Sequence, residues 1–275
     1  GKLFQAVDRI VDDLWTAGDL TFTLAAVRSY HDYTFVHSVD VAVVSIVIGL
    51  ASGYDRPRLR ELGAGALLHD VGKVKIPTEI LDKRESLTTQ EFERVKLHTT
   101  LGYQIISQSR DFSYVSAHAA LEHHERLDGS GYPRRLRGDK IHEIGKIVAV
   151  ADVFCAMTSD RVYRRKVPPQ EGIRHMRAAA SKFDQRFVRR LALRVAAFPN
   201  GTFVRLSTGE LAVVVRQDPR NSERPVVRLL ADSGNRPVEQ VEVALADTPE
   251  LDVALVLDDM PEQVRQALAS TGGDG

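Results

Sequence analysis

The sequence predicts a mainly α-helical domain followed by a small antiparallel β unit, and three observations predict it. From Lys2 to about Ala196 apolar residues recur every three or four positions, with breaks at Gly or Pro, which is the period of helices that bury one face. After Phe198 the pattern changes to short Val- and Leu-rich runs separated by turn residues, as strands require. The 275 residues are 43% hydrophobic and 27% charged, which supplies a core for one large domain or two unequal ones and excludes a mainly disordered chain.

In chain order, helices are expected over 36–52, 58–71, 89–107, 113–124, 143–159, 169–181 and 185–196, several after a Ser, Thr or Asp able to cap. The apolar run at 41–51 is about half of the roughly 20 residues a membrane-spanning helix needs, so it reads as a buried helix. Pro199-Asn200-Gly201 marks a boundary. Strands are expected over 202–207, 211–216, 225–230 and 238–244, the first two flanking Thr208-Gly209-Glu210. A brief amphipathic helix at 261–268 then leads into a Gly-rich tail that should fray. The division is a helical domain at 1–197, a β domain at 198–258, and a short helix with a disordered tail at 259–275.

Lys+Arg and Asp+Glu both number 37, so no overall field draws the chain to a nucleic-acid polymer or an anionic membrane, and any nucleotide must be held locally. The single cysteine, Cys155, excludes an intrachain disulfide and suits a reducing cytoplasm. A start at Gly1 without a leader reads as an excised or processed piece.

Histidines and aspartates fall where packing alone would not put them. In a helix over 36–52, His37 shares a face with Val41, Val44 and Ile48, and His98 sits on the apolar side of its helix with Val95, Leu101, Gly102 and Ile105. Asp152 lies among Gly145, Val148, Ala149, Cys155 and Ala156, and a buried carboxylate needs a cation or several donors. His69-Asp70 closes an apolar helix before Gly72, and His123-His124 closes another before a Gly-rich loop. Each alone is equally a hydrogen-bonded core histidine, a buried ion pair or a helix cap. Together, five histidines and two aspartates form a ligand set suited to two ions such as iron, manganese or zinc. His31, His118, His142 and His175 read as surface or structural residues.

His69-Asp70-Val71-Gly72-Lys73, His123-His124-Glu125-Arg126-Leu127-Asp128-Gly129-Ser130-Gly131-Tyr132-Pro133 and the later stretch from Ala151-Asp152-Val153 to Thr158-Ser159-Asp160-Arg161 resemble the HD-GYP family of bacterial cyclic di-GMP phosphodiesterases, over about residues 30–176. The resemblance implies an HD-type helical bundle, with the β unit, barrel-like, outside it. It implies metal ligands His37, His69, Asp70, His98, His123, His124 and Asp152, with Asp70 bridging. One ion would take His37, His69 and Asp152 and the other His98, His123 and His124. Tyr33 stands where some members place a glutamate for a third metal, which favours two ions. Cys155 stands where many members have a second aspartate, and Val162 where proline is common.

The chemistry implied is hydrolysis of cyclic di-GMP to linear pGpG, and onward to GMP, by a hydroxide bridging two divalent ions, with iron or manganese ahead of zinc. Lys73 is a candidate for phosphate contact or for assisting the departing alkoxide, and equally a lysine favoured at a helix C-terminus. Arg161 and Arg164 follow Asp152 by nine and twelve residues and are candidates for phosphate contact. Tyr132 is a further substrate-binding candidate, and Glu125 is either a residue that orients a ligand or a surface glutamate. Expected partners are cyclic di-GMP, a diguanylate-cyclase domain at the Gly131-Tyr132-Pro133 loop, and a second copy of the chain. Two other readings stay open: a receptor that binds the dinucleotide without turning it over, and a phosphohydrolase of another nucleotide.

Overall fold

The computed structural model describes residues 2–16, 33–83, 85–159, 167–195, 198, 200–218, 221, 223–257 and 259–271. They fall into two compact units, one helical up to Ala192 and one mainly β from Leu193 onward.

The helical unit contains α1 (Lys2–Thr16), α2 (Tyr33–Ala51), α3 (Arg56–Leu67), α4 (Thr78–Leu81), α5 (Thr89–Gln108), α6 (Tyr114–Glu122), α7 (Glu143–Thr158), α8 (Pro169–Ala178) and α9 (Gln185–Ala192). Their starts are set locally. Asp55 accepts the Arg58 N–H at the head of α3, and Thr88 and Glu91 form a reciprocal capping box at the head of α5. Ser113 accepts the Ser116 N–H ahead of α6, and the His142 ring accepts the Ile144 N–H ahead of α7. The middle helix α2 packs against α3 and α7 and carries Val41, Val44, Ile46 and Ile48 into a core shared with Leu59, Leu62, Ile147, Phe154, Met176 and Leu191. Burial of such side chains, worth about 1.5–3 kcal/mol each, holds the helices together. Among the described residues no helix is long and apolar enough to cross a membrane.

Two helix ends fall short of expectation, and both matter to the site. α3 stops at Leu67, and Val71–Lys75 continues as a separate 3₁₀ helix with Asp70 at its head. A Cβ on Gly72 would lie 2.0 Å from the His98 carbonyl oxygen, so the chain leaves the α-helical path to press glycine against α5. α6 stops at Glu122 with His123 as its cap, so His123 and His124 project from a helix end.

In the second unit β1 (Phe203–Leu206), β2 (Leu211–Arg216), β3 (Val226–Ala231), β4 (Glu242–Ala244) and β5 (Val253–Leu257) form an antiparallel sheet in the order β4-β3-β2-β1-β5, open, with β4 and β5 as its edges. Val204, Leu206, Ala212, Val214, Val227 and Leu245 make one apolar cluster. Leu211, Leu230 and Ala231 make another with Val264 of α10 (Glu262–Thr271). β5 is absent from the expected strands because its middle residues are exposed and it lacks the in-out alternation of a half-buried strand. The 238–244 run narrows to the three residues of β4.

Candidate metal centre

Five helices and their ends converge on one polar pocket inside the helical unit. α2 carries His37, the end of α3 leads into His69 and Asp70, α5 carries His98, the end of α6 presents His123 and His124, and α7 carries Asp152. Donor atoms of His98, His123 and His124 all lie within 4.8 Å of one another, and so do those of His37, His69 and Asp70. Asp70 stands between the two groups. Its Oδ2 is 3.3 Å from His69 Nε2, and its Oδ1 is 3.4 Å from His98 Nε2 and 3.8 Å from His123 Nε2. Asp152 Oδ1 lies 3.1 Å from His37 Nε2.

The helix backbones fix which ring nitrogen faces inward. His69 Nδ1 donates to the Ala66 carbonyl at 2.8 Å, His98 Nδ1 to Val95 at 2.6 Å, and His123 Nδ1 to Ala119 and Ala120 at 3.0 Å. A carbonyl only accepts, so the proton of each neutral ring sits on Nδ1 and the Nε2 lone pair points into the pocket. His98 Nε2 and His123 Nε2 then face each other at 3.3 Å, an arrangement of two lone pairs that needs a cation between or beside them. His69 Nε2 and Asp70 Oδ1 are buried without a hydrogen-bond partner among the described residues. Orphaned inward nitrogens beside ionised carboxylates are what divalent transition metals bind, so the donor set fits such ions.

The electrostatics agree. Burial holds the His123 and His98 imidazoles below their ordinary range and takes His124 down to about 3, with neighbouring histidines adding to the effect on His123 and His124. Burial also opposes charge on Asp70 and Asp152. Yet Asp70 stays well below the usual carboxylate range beside His69 and Lys73, and Asp152 does so through His37 and the surrounding rings. His69 moves up, because the Asp70 carboxylate outweighs the effect of burial. Neutral rings at His98, His123 and His124 and ionised carboxylates are the protonation states that coordination requires.

Around this pocket Lys73 Nζ lies 2.5 Å from Asp70 Oδ2. Glu125 is buried and accepts the backbone N–H of Arg134 at 2.7 Å and of Leu136 at 3.0 Å, so it braces the loop after the histidine pair. A Cβ on Gly131 would fall within 2.5 Å of Glu125 Cα and of Arg126 N, which is why the loop folds back so closely there. Tyr132 of this loop stacks on His124 with centroids 4.6 Å apart. Cys155, three residues after Asp152 on α7, is buried, and burial, with Asp40 and Asp152, pushes its thiol well up. Arg161 and Arg164 lie outside the described residues.

Two residues escaped the reading of the sequence. Glu122 is 1% exposed, and it takes the His118 ring at 2.9 Å, the His142 N–H at 2.6 Å and the Arg134 guanidinium. Its signal was a carboxylate on an Ala- and Leu-rich helix, the same argument applied above to Asp152. Arg126 donates to the His123 and Glu125 carbonyls at 2.9 and 2.8 Å while lying over Phe183, and nothing local in the sequence marks that return contact.

Comparison with known proteins gives the setting. The family model described as HD domain matches residues 26–187, and the one described as KOW domain associated with HD domain matches residues 203–260. The chain is 33% identical to a Pseudomonas aeruginosa protein named cyclic di-GMP phosphodiesterase PA4108, over 90% of this chain and 60% of that one. It is 42% identical to a cyclic di-GMP phosphodiesterase of Thermotoga maritima, over 58% of this chain and 44% of that one. This chain therefore spans less than two thirds of either relative. Among solved structures, the HDG"Y"P protein Bd1817 of Bdellovibrio bacteriovorus shares the fold, with a TM-score of 0.57 at 20% identity over 68% of this chain and 60% of that one.

Proposed function

Because the chain belongs to the HD domain family, in its HD-GYP form, we propose that it is a metal-dependent phosphodiesterase that opens cyclic di-GMP to linear pGpG and carries it onward to GMP. The observation that carries this reading is the pair of donor groups joined through Asp70. His37, His69 and Asp152 would hold one ion and His98, His123 and His124 the other, with Asp70 shared. Bound there, two divalent ions, iron or manganese ahead of zinc, supply an activated water and neutralise charge on the phosphoryl group.

The chain's own residues do the rest. The three pinned imidazoles keep their lone pairs aimed inward without reorganisation. Lys73 steadies the second oxygen of Asp70 and extends a cation toward the incoming phosphate. Arg161 and Arg164 are assigned the outer phosphate oxygens, Tyr132 a substrate contact, and Glu125 the shape of the loop that holds Tyr132. Catalysis belongs to residues 1–197, and the β unit at 198–258 serves docking or stability.

The test is chromatography of cyclic di-GMP incubated anaerobically with ferrous iron or manganese and either the parent chain or Asp70→Ala. Linear pGpG or GMP should form with the parent alone. Equal turnover by Asp70→Ala would sink the shared-carboxylate reading, and intact substrate with metal-loaded parent would leave the protein a receptor.

A further inference from the structure

A run of rings leads from the metal centre to the surface. His98 and His124 lie 6.5 and 4.6 Å, centroid to centroid, from Tyr132, and Tyr132 lies 6.3 Å from Phe92 with the planes at 79°. Phe92 sits in the first turn of α5, six residues before His98, and is 43% exposed. Phe92 thus presents an aromatic face to solvent beside Tyr132 at the edge of the histidine and aspartate cluster. Lys96, one turn on, places its Nζ 4.7 Å from the Phe92 centroid and 5.6 Å from that of Tyr132. Glu93 accepts one N–H of the same ammonium at 2.6 Å, which leaves its other N–H donors for a ligand.

We propose that Phe92, Lys96 and Tyr132 form a shelf for one guanine base of the substrate, while its phosphate reaches the histidine and aspartate centre. This rests on the phosphodiesterase reading and adds the substrate's base to it. An exposed aromatic ring stacks on any purine. The choice of guanine comes from Lys96: guanine offers two acceptors, O6 and N7, along one edge, where adenine puts an amino group in place of O6. Moved aside from the Phe92 face by the entering base, the Lys96 ammonium stands beside that base and donates to O6 and N7, which a phenylalanine alone cannot read.

The experiment uses the full metal-loaded chain and the variants Phe92→Ala, Phe92→Trp and Lys96→Met. Turnover of cyclic di-GMP and cyclic di-AMP is measured beside the fluorescence of a cyclic dinucleotide carrying 2-aminopurine, which stacking quenches. Phe92→Ala should raise KM for cyclic di-GMP about tenfold, more than it lowers kcat, and should relieve the quenching, while Phe92→Trp restores both. Lys96→Met should shrink the preference for cyclic di-GMP over cyclic di-AMP at least fivefold. An unchanged KM and undiminished quenching in Phe92→Ala overturn the shelf, and an unchanged preference in Lys96→Met overturns its choice of guanine. Should the parent hydrolyse neither compound, the phosphodiesterase reading falls, and the quenching by parent and Phe92→Ala still decides the shelf by itself.

Discussion

The carboxylate of Glu122 has almost no route to water, and donors from His118, His142 and Arg134 meet its oxygens. Burial alone would raise its pKa, but the His118 ring and the His142 N–H outweigh burial and hold it below the ordinary value of 4.5. A depressed folded-state pKa contributes stability that is complete above the unfolded value and lost as pH falls through the folded one. Relative to Glu122→Gln, the parent should be more stable by about 2 kcal/mol at pH 7, and the advantage should shrink below about pH 4.5. Denaturant unfolding of both proteins across that range checks it. Lys73 offers a second test. Replacing it with Met strips the ammonium from Asp70 Oδ2 and should cut kcat/KM about 10–100-fold, beyond what the accompanying small loss of stability explains, when rates are read well below the melting temperature. Steady-state rates within twofold of the parent would leave Lys73 as a favourable charge at a helix end and nothing more.

Among elements, the 3₁₀ helix Val71–Lys75 determines how closely Asp70 approaches α5, and Gly72 is its contact point. Gly72→Ala must push the two backbones apart, so it should cost about 1–3 kcal/mol and weaken metal binding at least tenfold. Thermal unfolding and metal titration of the variant test both effects. This contact also shows where the sequence stopped being informative. Helix periodicity put His37, His98 and Asp152 on inward faces, and the Gly-rich punctuation put His69, Asp70, His123 and His124 at helix ends. Periodicity says nothing about which carbonyl a ring nitrogen meets, so the pinning by Ala66, Val95, Ala119 and Ala120 appears only in three dimensions. The clamp of Glu125 on the Arg134 and Leu136 amides was hidden for the same reason, since it joins residues nine and eleven apart across an irregular loop. β5 was missed because an edge strand with exposed Leu255 and Val256 does not alternate.

For the molecule as a whole, the helical unit gathers inward lone pairs and carboxylates in one largely buried cluster, and ions bound to that cluster would add to its stability. Stripping the metal with a chelator should lower the melting temperature by roughly 5–10 °C, and adding manganese should restore it, as binding to the folded state alone requires. Calorimetry with and without chelator makes the comparison. The β unit has two apolar clusters of its own, one of which includes the fully buried Val264. Val264→Asp puts an unpaired charge there and should remove hydrogen-exchange protection from β2 and β3, while α2 and α7 keep theirs.

Cys155 turns this architecture into a clock. The sequence has a single thiol, 1% exposed on α7 and kept protonated by its surroundings, so alkylating reagents reach it only when the helix packing opens. Its labelling rate, read by mass spectrometry without any introduced probe, times how often the interior around α7 exchanges with solvent.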